Sequence, residues 1–295
     1  DASAVGVLEA KPAGPTLTGV EPQAKRYAEG LPSHLPAVRR PLPFLYQSTG
    51  VETRFPHLLA PEPRSRRVFP FHRPEAFGRW LWPLGTGQAG AAPGGASTTC
   101  ESVAPLDLSL RGRLRTLPPF EGKGLWDAQI TAVRNLEKSL AADRPRSLIQ
   151  MATGSGKTFT AISSIYRLVK HAGAEHVLFL VDRANLGRQA LKEFQRYDVP
   201  GGGRKFTEEY NVQHLTSNRI DPVARVVITT IQRLYSMLRG EEDLPPGAEE
   251  RSSFDALAGI VREPVPVAYN PQIPVELFDV MFVDDLNSEG YHSLT

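Results

Sequence analysis

Cysteine is nearly absent: Cys100 is the one thiol in 295 residues. A lone thiol permits no internal disulfide, no Cys-rich zinc site and no iron–sulfur cluster, so a reducing cytoplasm is the expected compartment. Long apolar runs are missing too. The densest, Val177 to Val181, falls far short of the roughly 20 residues that cross a bilayer. No basic, apolar, small-residue sequence opens the chain, so neither a membrane span nor a secretory leader is expected. Charge of one sign is not in excess: 34 Lys and Arg face 32 Asp and Glu, a net +2, which does not by itself call for a nucleic-acid partner. What is present is ordinary: 41% hydrophobic and 22% charged residues lie near the averages for soluble domains and exclude wholesale disorder, collagen and coiled coil. The length is about twice that of a usual single domain, which points to two domains or to one with an appendage.

The near-neutral total hides a division. Residues 1–118 carry 14 basic against 9 acidic side chains and residues 119–295 carry 20 against 23, while 17 of the 26 prolines fall in residues 1–119. A proline-rich, mildly basic front therefore precedes a proline-poor part, with the boundary expected near residue 118. Leu84 to Thr99 (LGTGQAGAAPGGASTT) holds too little apolar surface to offset the entropy of ordering it and reads as a flexible linker. Leu106 to Leu117 follows with leucines at mixed spacing, and Pro118 and Pro119 stop any helix there.

Beyond residue 118 the pattern alternates. Leu125, Ile130, Val133, Leu136 and Leu140 stand near helical spacing, and Ser147 to Met151 (SLIQM) is expected as a short strand. The spacing then predicts a helix over Lys157 to Lys170, a strand over Val177 to Val181, a helix over Leu186 to Tyr197, a strand over Arg225 to Thr229, a helix over Ile231 to Leu238 and a strand over Val280 to Val283. Strands separated by helices of this length imply an α/β fold with a parallel sheet covered on both faces.

The strongest chemical signal is Ala152-Thr153-Gly154-Ser155-Gly156-Lys157-Thr158. Closely placed glycines before a helix let backbone N–H groups turn inward around phosphate oxygens, at a terminus whose dipole favours anions. Lys157 is expected to reach the β- and γ-phosphates and the Thr158 hydroxyl to bind Mg²⁺. Met151 stands where the general pattern has its first glycine. A nucleotide triphosphate site also needs an acidic element. Val280 to Asp285 (VMFVDD) supplies it as an apolar strand ending in two carboxylates, Asp284 for the metal shell and Asp285 to orient or deprotonate water.

Four segments in order, GLWDAQITAVRNLEKSL, LIQMATGSGKT, VLFLVDRANLGRQA and VVITTIQRLYSML, resemble the glutamine motif, motif I, motif Ia and the next DNA-contact motif of superfamily 2 helicases. The wording is most similar to that of the restriction (R) subunit of type I restriction–modification enzymes. The resemblance implies a RecA-like domain over residues 119–295 that ends soon after its Walker B-like strand. It implies that Gln129 reads the adenine, and that Arg183, Asn185, Thr229, Thr230 and Gln232 lie near a DNA backbone.

The front supports the same family. Val5 to Lys11 (VGVLEAK) is an apolar strand ending in Glu-x-Lys, which sets Glu9 and Lys11 on one strand face, and Gln23 to Tyr27 gives Gln-x-x-x-Tyr on a following helix. In PD-(D/E)-x-K nucleases such a carboxylate binds Mg²⁺ and the lysine positions or activates water. Residues 1–80 thus resemble a partial α/β nuclease domain, residues 81–118 a linker and connecting segment, with Gln23 and Tyr27 near DNA. Two departures stand out. The upstream aspartate of the nuclease motif is not found in front of Glu9, where Asp1 falls in the intervening turn. The helicase motif Asp-Glu-Cys-His reads Asp284-Asp285-Leu286-Asn287 here.

The expectation is a truncated or decayed R subunit that binds ATP and Mg²⁺. Its intact relative would couple ATP hydrolysis to translocation and cleavage of double-stranded DNA in complex with methylation and specificity subunits, away from any membrane. Two alternatives are another superfamily 2 DNA helicase or ATPase, and a non-catalytic nucleotide-binding remnant. Little or no DNA-stimulated ATPase is expected of such a chain.

Overall fold

The computed structural model describes residues 3–12, 17, 21–49, 51–60, 63–68, 71–81, 110–250 and 270–284. The linker reading of Leu84 to Thr99, together with Cys100, Asp1 and Asp285, lies outside these residues. The chain forms two compact units, Asp1–Thr116 with Ala141–Asp143, and Leu117–Leu140 with Arg144–Thr295.

The first unit contains β1 (Gly6–Ala10), α1 (Glu21–Glu29), β2 (Phe44–Ser48), β3 (Thr53–Pro56), β4 (Ser65–Val68), α2 (Pro74–Leu81) and α3 (Leu110–Leu114). The expected front strand and helix are β1 and α1. Its sheet runs in the order β1-β2-β3-β4, with β1 and β2 parallel and the other pairs antiparallel. Parallel neighbours need a crossover, and α1 provides it. The small side chains Ala24 and Ala28 let α1 pack closely with Leu42 and Leu45, Val7 joining them. Gly6 is required in β1, because a Cβ there would lie 2.3 Å from the Phe44 carbonyl oxygen. On the opposite face Phe44, Tyr46 and Phe55 are buried, with Phe77 and Trp80 of α2 packed against them.

His57 sits in that aromatic cluster, its ring centroid 5.0 Å from that of Trp80 and its Nε2 buried and, among the described residues, without a hydrogen-bond partner. Burial first, then the charges of His72 and Arg66, push its pKa down from 6.5 to about 4. The unfolded chain therefore takes up this proton first as pH falls, and stability is lost between pH 6.5 and 4. The loss from this group should reach up to about 3 kcal/mol at pH 4. Urea midpoints measured at pH 7 and pH 4.5 test this: His57→Phe should flatten the difference, and an unchanged difference would remove His57 as its source.

The second unit contains α4 (Asp127–Ala141, whose last residue groups with the first unit), α5 (Lys157–Arg167), β5 (Val177–Val181), α6 (Ala184–Arg196), α7 (Phe206–Glu209), β6 (Val212–His214), β7 (Val226–Thr230), α8 (Ile231–Leu238) and β8 (Val280–Asp284). The helix expected to reach Lys170 instead widens into a π-helical turn over Leu168–Ala172, closed by Gly173 in the left-handed region at φ 73°. The sheet is parallel, in the order β6-β7-β5-β8. β5 and β7 are buried along their whole length, as expected of inner strands covered on both faces. The Phe179 ring meets Phe194 of α6 edge-on at 5.8 Å, while Leu178 and Val227 cluster with Met237 of α8 on the other face. Register aligns Val181 with both Thr230 and Asp284, so three strands end together at one rim of the sheet.

One expected strand is corrected. Ser147 to Met151 has no regular structure, and Leu148 is 74% exposed. A run of apolar residues becomes a strand only where a neighbour completes its hydrogen-bond ladder, and β8 pairs with β5 alone among the described strands.

Candidate functional site

The loop before α5 is built around two glycines that no other residue could replace without strain. Gly154 and Gly156 have φ of 80° and 76°, in the left-handed region that costs other residues energy. A Cβ on Gly156 would also lie 2.4 Å from Gln129 Nε2. The Ser155 hydroxyl and its backbone N–H both donate to the Ala152 carbonyl, at 2.6 and 3.2 Å, which folds the loop into a tight turn. Gly156 caps α5 without any side-chain bond, so the first N–H groups of the helix are not capped by a side chain. Thr153 and Gly154 are exposed, and Lys157 and Thr158 are half-buried on the first turn of α5.

Asp284, at the rim end of β8, accepts a hydrogen bond from Thr158 Oγ1 at 2.9 Å. A hydroxyl and a carboxylate 126 positions apart in sequence thus share one point, beside a helix N-terminus. Among the described residues no group of three or more His, Cys, Asp or Glu is arranged to hold a metal ion. A cation at this point would therefore complete its shell with oxygens of a bound phosphate and with water, the usual habit of Mg²⁺.

The remaining expected residues divide. Gln129, at the start of α4, is buried; its Oε1 accepts from Trp126 N at 3.0 Å and its Nε2 donates to the Ser155 carbonyl at 3.1 Å, so it braces the loop. Arg183 precedes α6 with Nε 3.4 Å from Asp182 Oδ2, and Asn185 is exposed. Thr229 and Thr230 are buried at the end of β7. The Thr230 hydroxyl caps α8, accepting from Arg233 N at 3.2 Å and donating to Glu249 Oε1 at 2.6 Å. Gln232 is half-buried on the first turn of α8.

Sequence reading misses Arg233. It is 5% exposed and forks onto Glu249 with Nε at 3.0 Å and Nη2 at 2.5 Å, while Nη1 reaches Asp243 at 2.6 Å and Asn218 at 3.1 Å. Burial alone would lower the pKa of this guanidinium, but its bonds to Glu249 and Asp243 hold it above its ordinary value. The Glu249 carbonyl in turn accepts from Ala184 N at 2.9 Å, which ties the segment after α8 to the start of α6. Nothing local in the sequence marks a network of partners this far apart.

In the first unit, Glu9, Lys11, Gln23 and Tyr27 form a chain of contacts. Lys11 Nζ lies 2.8 Å from Glu9 Oε1 and donates to Gln23 Oε1 at 3.1 Å; Gln23 Nε2 donates to the Tyr27 hydroxyl at 3.0 Å. Glu9 is buried, whereas Gln23 and Tyr27 are exposed. The arrangement sets one buried carboxylate beside one ammonium, with an amide and a phenol fixing the ammonium from the solvent side.

Comparison with known proteins matches residues 123–284 to a family model described as "Type III restriction enzyme, res subunit". The type I restriction enzyme EcoKI endonuclease subunit of Escherichia coli (strain K12) is 35% identical over 129 residues, 43% of this chain and 11% of that one. The SauCOLORF180P endonuclease subunit of Staphylococcus aureus (strain COL) is 27% identical over 116 residues, 39% of this chain and 12% of that one. A fragment of a type I HsdR subunit from Vibrio vulnificus YJ016 aligns over 95% of this chain and 39% of its own at a TM-score of 0.32 and 17% identity. The chain thus spans about a tenth of the length of these curated relatives, and its similarity to restriction-enzyme R subunits is plain. The parallel sheet with helices on both faces is RecA-like. With more than half of its residues matched by the family model, the chain belongs to the family of type III restriction enzyme res subunits.

Proposed function

We propose that the second unit binds ATP with Mg²⁺ and that, in a complete type I R subunit, its hydrolysis drives translocation of double-stranded DNA. The observation that carries this reading is the 2.9 Å contact of Thr158 with Asp284. It joins the loop that would cradle the phosphates to the carboxylate that would face their metal. Lys157 would neutralise the β- and γ-phosphates, and the backbone N–H groups at the start of α5 would bind their oxygens. When bound, Mg²⁺ would offset the charge that builds on the transferred phosphoryl group. Asp285 would orient water. Gln129 would hold the loop and read the adenine, and Arg183, Asn185, Thr229, Thr230 and Gln232 would border the DNA track.

The first unit is read as a nuclease domain in which Glu9 holds Mg²⁺, Lys11 positions water, and Gln23 and Tyr27 meet DNA. The contact chain from Glu9 to Tyr27 supports it. Partners would be duplex DNA and the methylation and specificity subunits of a type I complex in the cytoplasm. Among the described residues no helix is long and apolar enough to cross a membrane.

The test is the Mg²⁺ dependence of ATP affinity. Calorimetry should give tighter ATP binding with Mg²⁺ than with EDTA, by about tenfold or more, and Thr158→Val or Asp284→Asn should abolish most of that difference. ATP affinity indifferent to Mg²⁺ in the parent chain would sink the reading, as would an unchanged Mg²⁺ effect in both variants.

A further inference from the structure

The strand register of the first unit aligns four polar side chains in one row across the sheet. Glu9 of β1 pairs with Gln47 of β2, Gln47 with Arg54 of β3, and Arg54 with Arg67 of β4. Paired residues on neighbouring strands share a face. This row therefore continues the face on which Val7 and Leu45, two residues earlier on each strand, pack with Ala24 and Ala28 of α1. An apolar pair would be the ordinary occupant of its two innermost positions. Instead Glu9 is 7% exposed and Gln47 is fully buried.

Neither is fully satisfied. Among the described residues Gln47 Oε1 and Nε2 and Glu9 Oε2 are buried without a hydrogen-bond partner, while Glu9 Oε1 has the Lys11 ammonium 2.8 Å away as its ion pair. An unmet buried amide is destabilising, and so is a buried carboxylate oxygen left without a donor. Two unpartnered oxygens, Glu9 Oε2 and Gln47 Oε1, on adjacent positions of one face match the donor set of a hard divalent cation, which takes carboxylate and amide carbonyl oxygens alike. The guanidiniums of Arg54 and Arg67 continue the row toward solvent, the half-buried Arg54 held by Glu52 at 2.9 Å and Arg67 exposed. A phosphate spanning such a row would have cationic contacts at both ends.

We propose that the Gln47 carboxamide oxygen is a second protein ligand, beside Glu9, for a divalent cation in the first unit. The inference rests on the nuclease reading of Glu9 and Lys11, and it adds a ligand that the Glu-x-Lys pattern does not contain. Gln47 completes from the neighbouring strand a site that one carboxylate could not hold in fixed geometry.

The test is calorimetric titration of the whole chain with Mn²⁺ alone, in an Asp284→Asn background so that binding near the phosphate loop is not counted. Mn²⁺ should bind, and Gln47→Leu should weaken it at least tenfold. The melting temperature of Gln47→Leu without metal should equal or exceed that of its background, because an unmet amide has been removed. Gln47→Glu should bind Mn²⁺ at least as tightly as the background chain, which checks the ligand role with a variant that keeps an oxygen in place. If Glu9→Gln abolishes binding while Gln47→Leu leaves it intact, Gln47 is no ligand and the nuclease reading stands. A lower melting temperature for Gln47→Leu with unaltered Mn²⁺ affinity would assign the amide to a buried water instead. If Gln47→Leu does not fold, weaker Mn²⁺ binding by Gln47→Glu overturns the proposal. If the background chain binds no Mn²⁺, or Glu9→Gln binds it as well as the background does, the nuclease reading fails and the inference with it.

Discussion

Calorimetric titration of Lys157→Ala with Mg-ATP should show binding weakened about a hundredfold relative to the parent chain. Lys157 opens α5 directly after the left-handed Gly156, which fixes where its backbone starts. Its ammonium is the one cationic side chain between Thr153 and Thr158. A hydrogen bond to a charged group contributes roughly 1.5–3 kcal/mol, and about 2.7 kcal/mol corresponds to that hundredfold. The substitution leaves Gly154, Gly156 and the brace from Gln129 to the Ser155 carbonyl in place, so the loop keeps its turn. Equal affinity in both chains would remove the phosphate site from this loop.

Arg233→Leu should destabilise the second unit by about 3–5 kcal/mol, the usual consequence of removing one partner from a buried ion pair. Glu249 would keep a carboxylate whose side chain is only 17% exposed, with the Thr230 hydroxyl still donating to it. The double variant Arg233→Leu/Glu249→Leu should recover much of the loss, since no charge is then left unpaired. Denaturant unfolding measures both, and amide exchange at Ala184 reports locally whether the Glu249 carbonyl still holds that N–H. A loss below about 1 kcal/mol for Arg233→Leu would mean that water replaces the guanidinium and that the network is a surface feature.

Contiguity decides what could be read in advance. Gly154, Gly156, Lys157 and Thr158 lie within five positions, and their geometry follows from backbone rules that act at that range. Asp284 is readable only together with that loop, because an apolar strand ending in carboxylates is ordinary by itself and gains a role when a phosphate-binding pattern in the same chain needs an acidic partner. β5 and β7 are readable because inner parallel strands are apolar without interruption. Other features depend on partners that no local pattern names. Arg233 looks like a solvated helix residue until Glu249, sixteen positions away, is seen against it. Gln47 follows Phe44, Leu45 and Tyr46 in β2, and only its register with Glu9 gives it meaning. β3 and β4, with four residues each, are too short and too rich in arginine and proline to show a period. Ser147 to Met151 errs the other way, since its composition fits a strand while the described sheet offers it no ladder. Thr229 and Thr230 sit in a motif that suggests contact with a ligand, yet burial at the head of α8 commits the Thr230 hydroxyl to the helix cap.

The bond between Thr158 and Asp284 spans 126 positions of sequence, and β8 joins a strand roughly a hundred residues before it. Closing a chain segment of that length costs on the order of 4 kcal/mol in entropy before any contact repays it, and pairings so distant slow folding. The phosphate loop and α5 can form from neighbouring residues, whereas the cation-facing half of the site exists only after the last described strand has docked. Under the proposed function, competence to bind Mg-ATP would therefore be a late event in folding, and a nucleotide that bound only the finished fold would draw the equilibrium toward it by mass action. During synthesis the motif that looks most complete on paper would emerge from the ribosome well over a hundred residues before it could hold a metal.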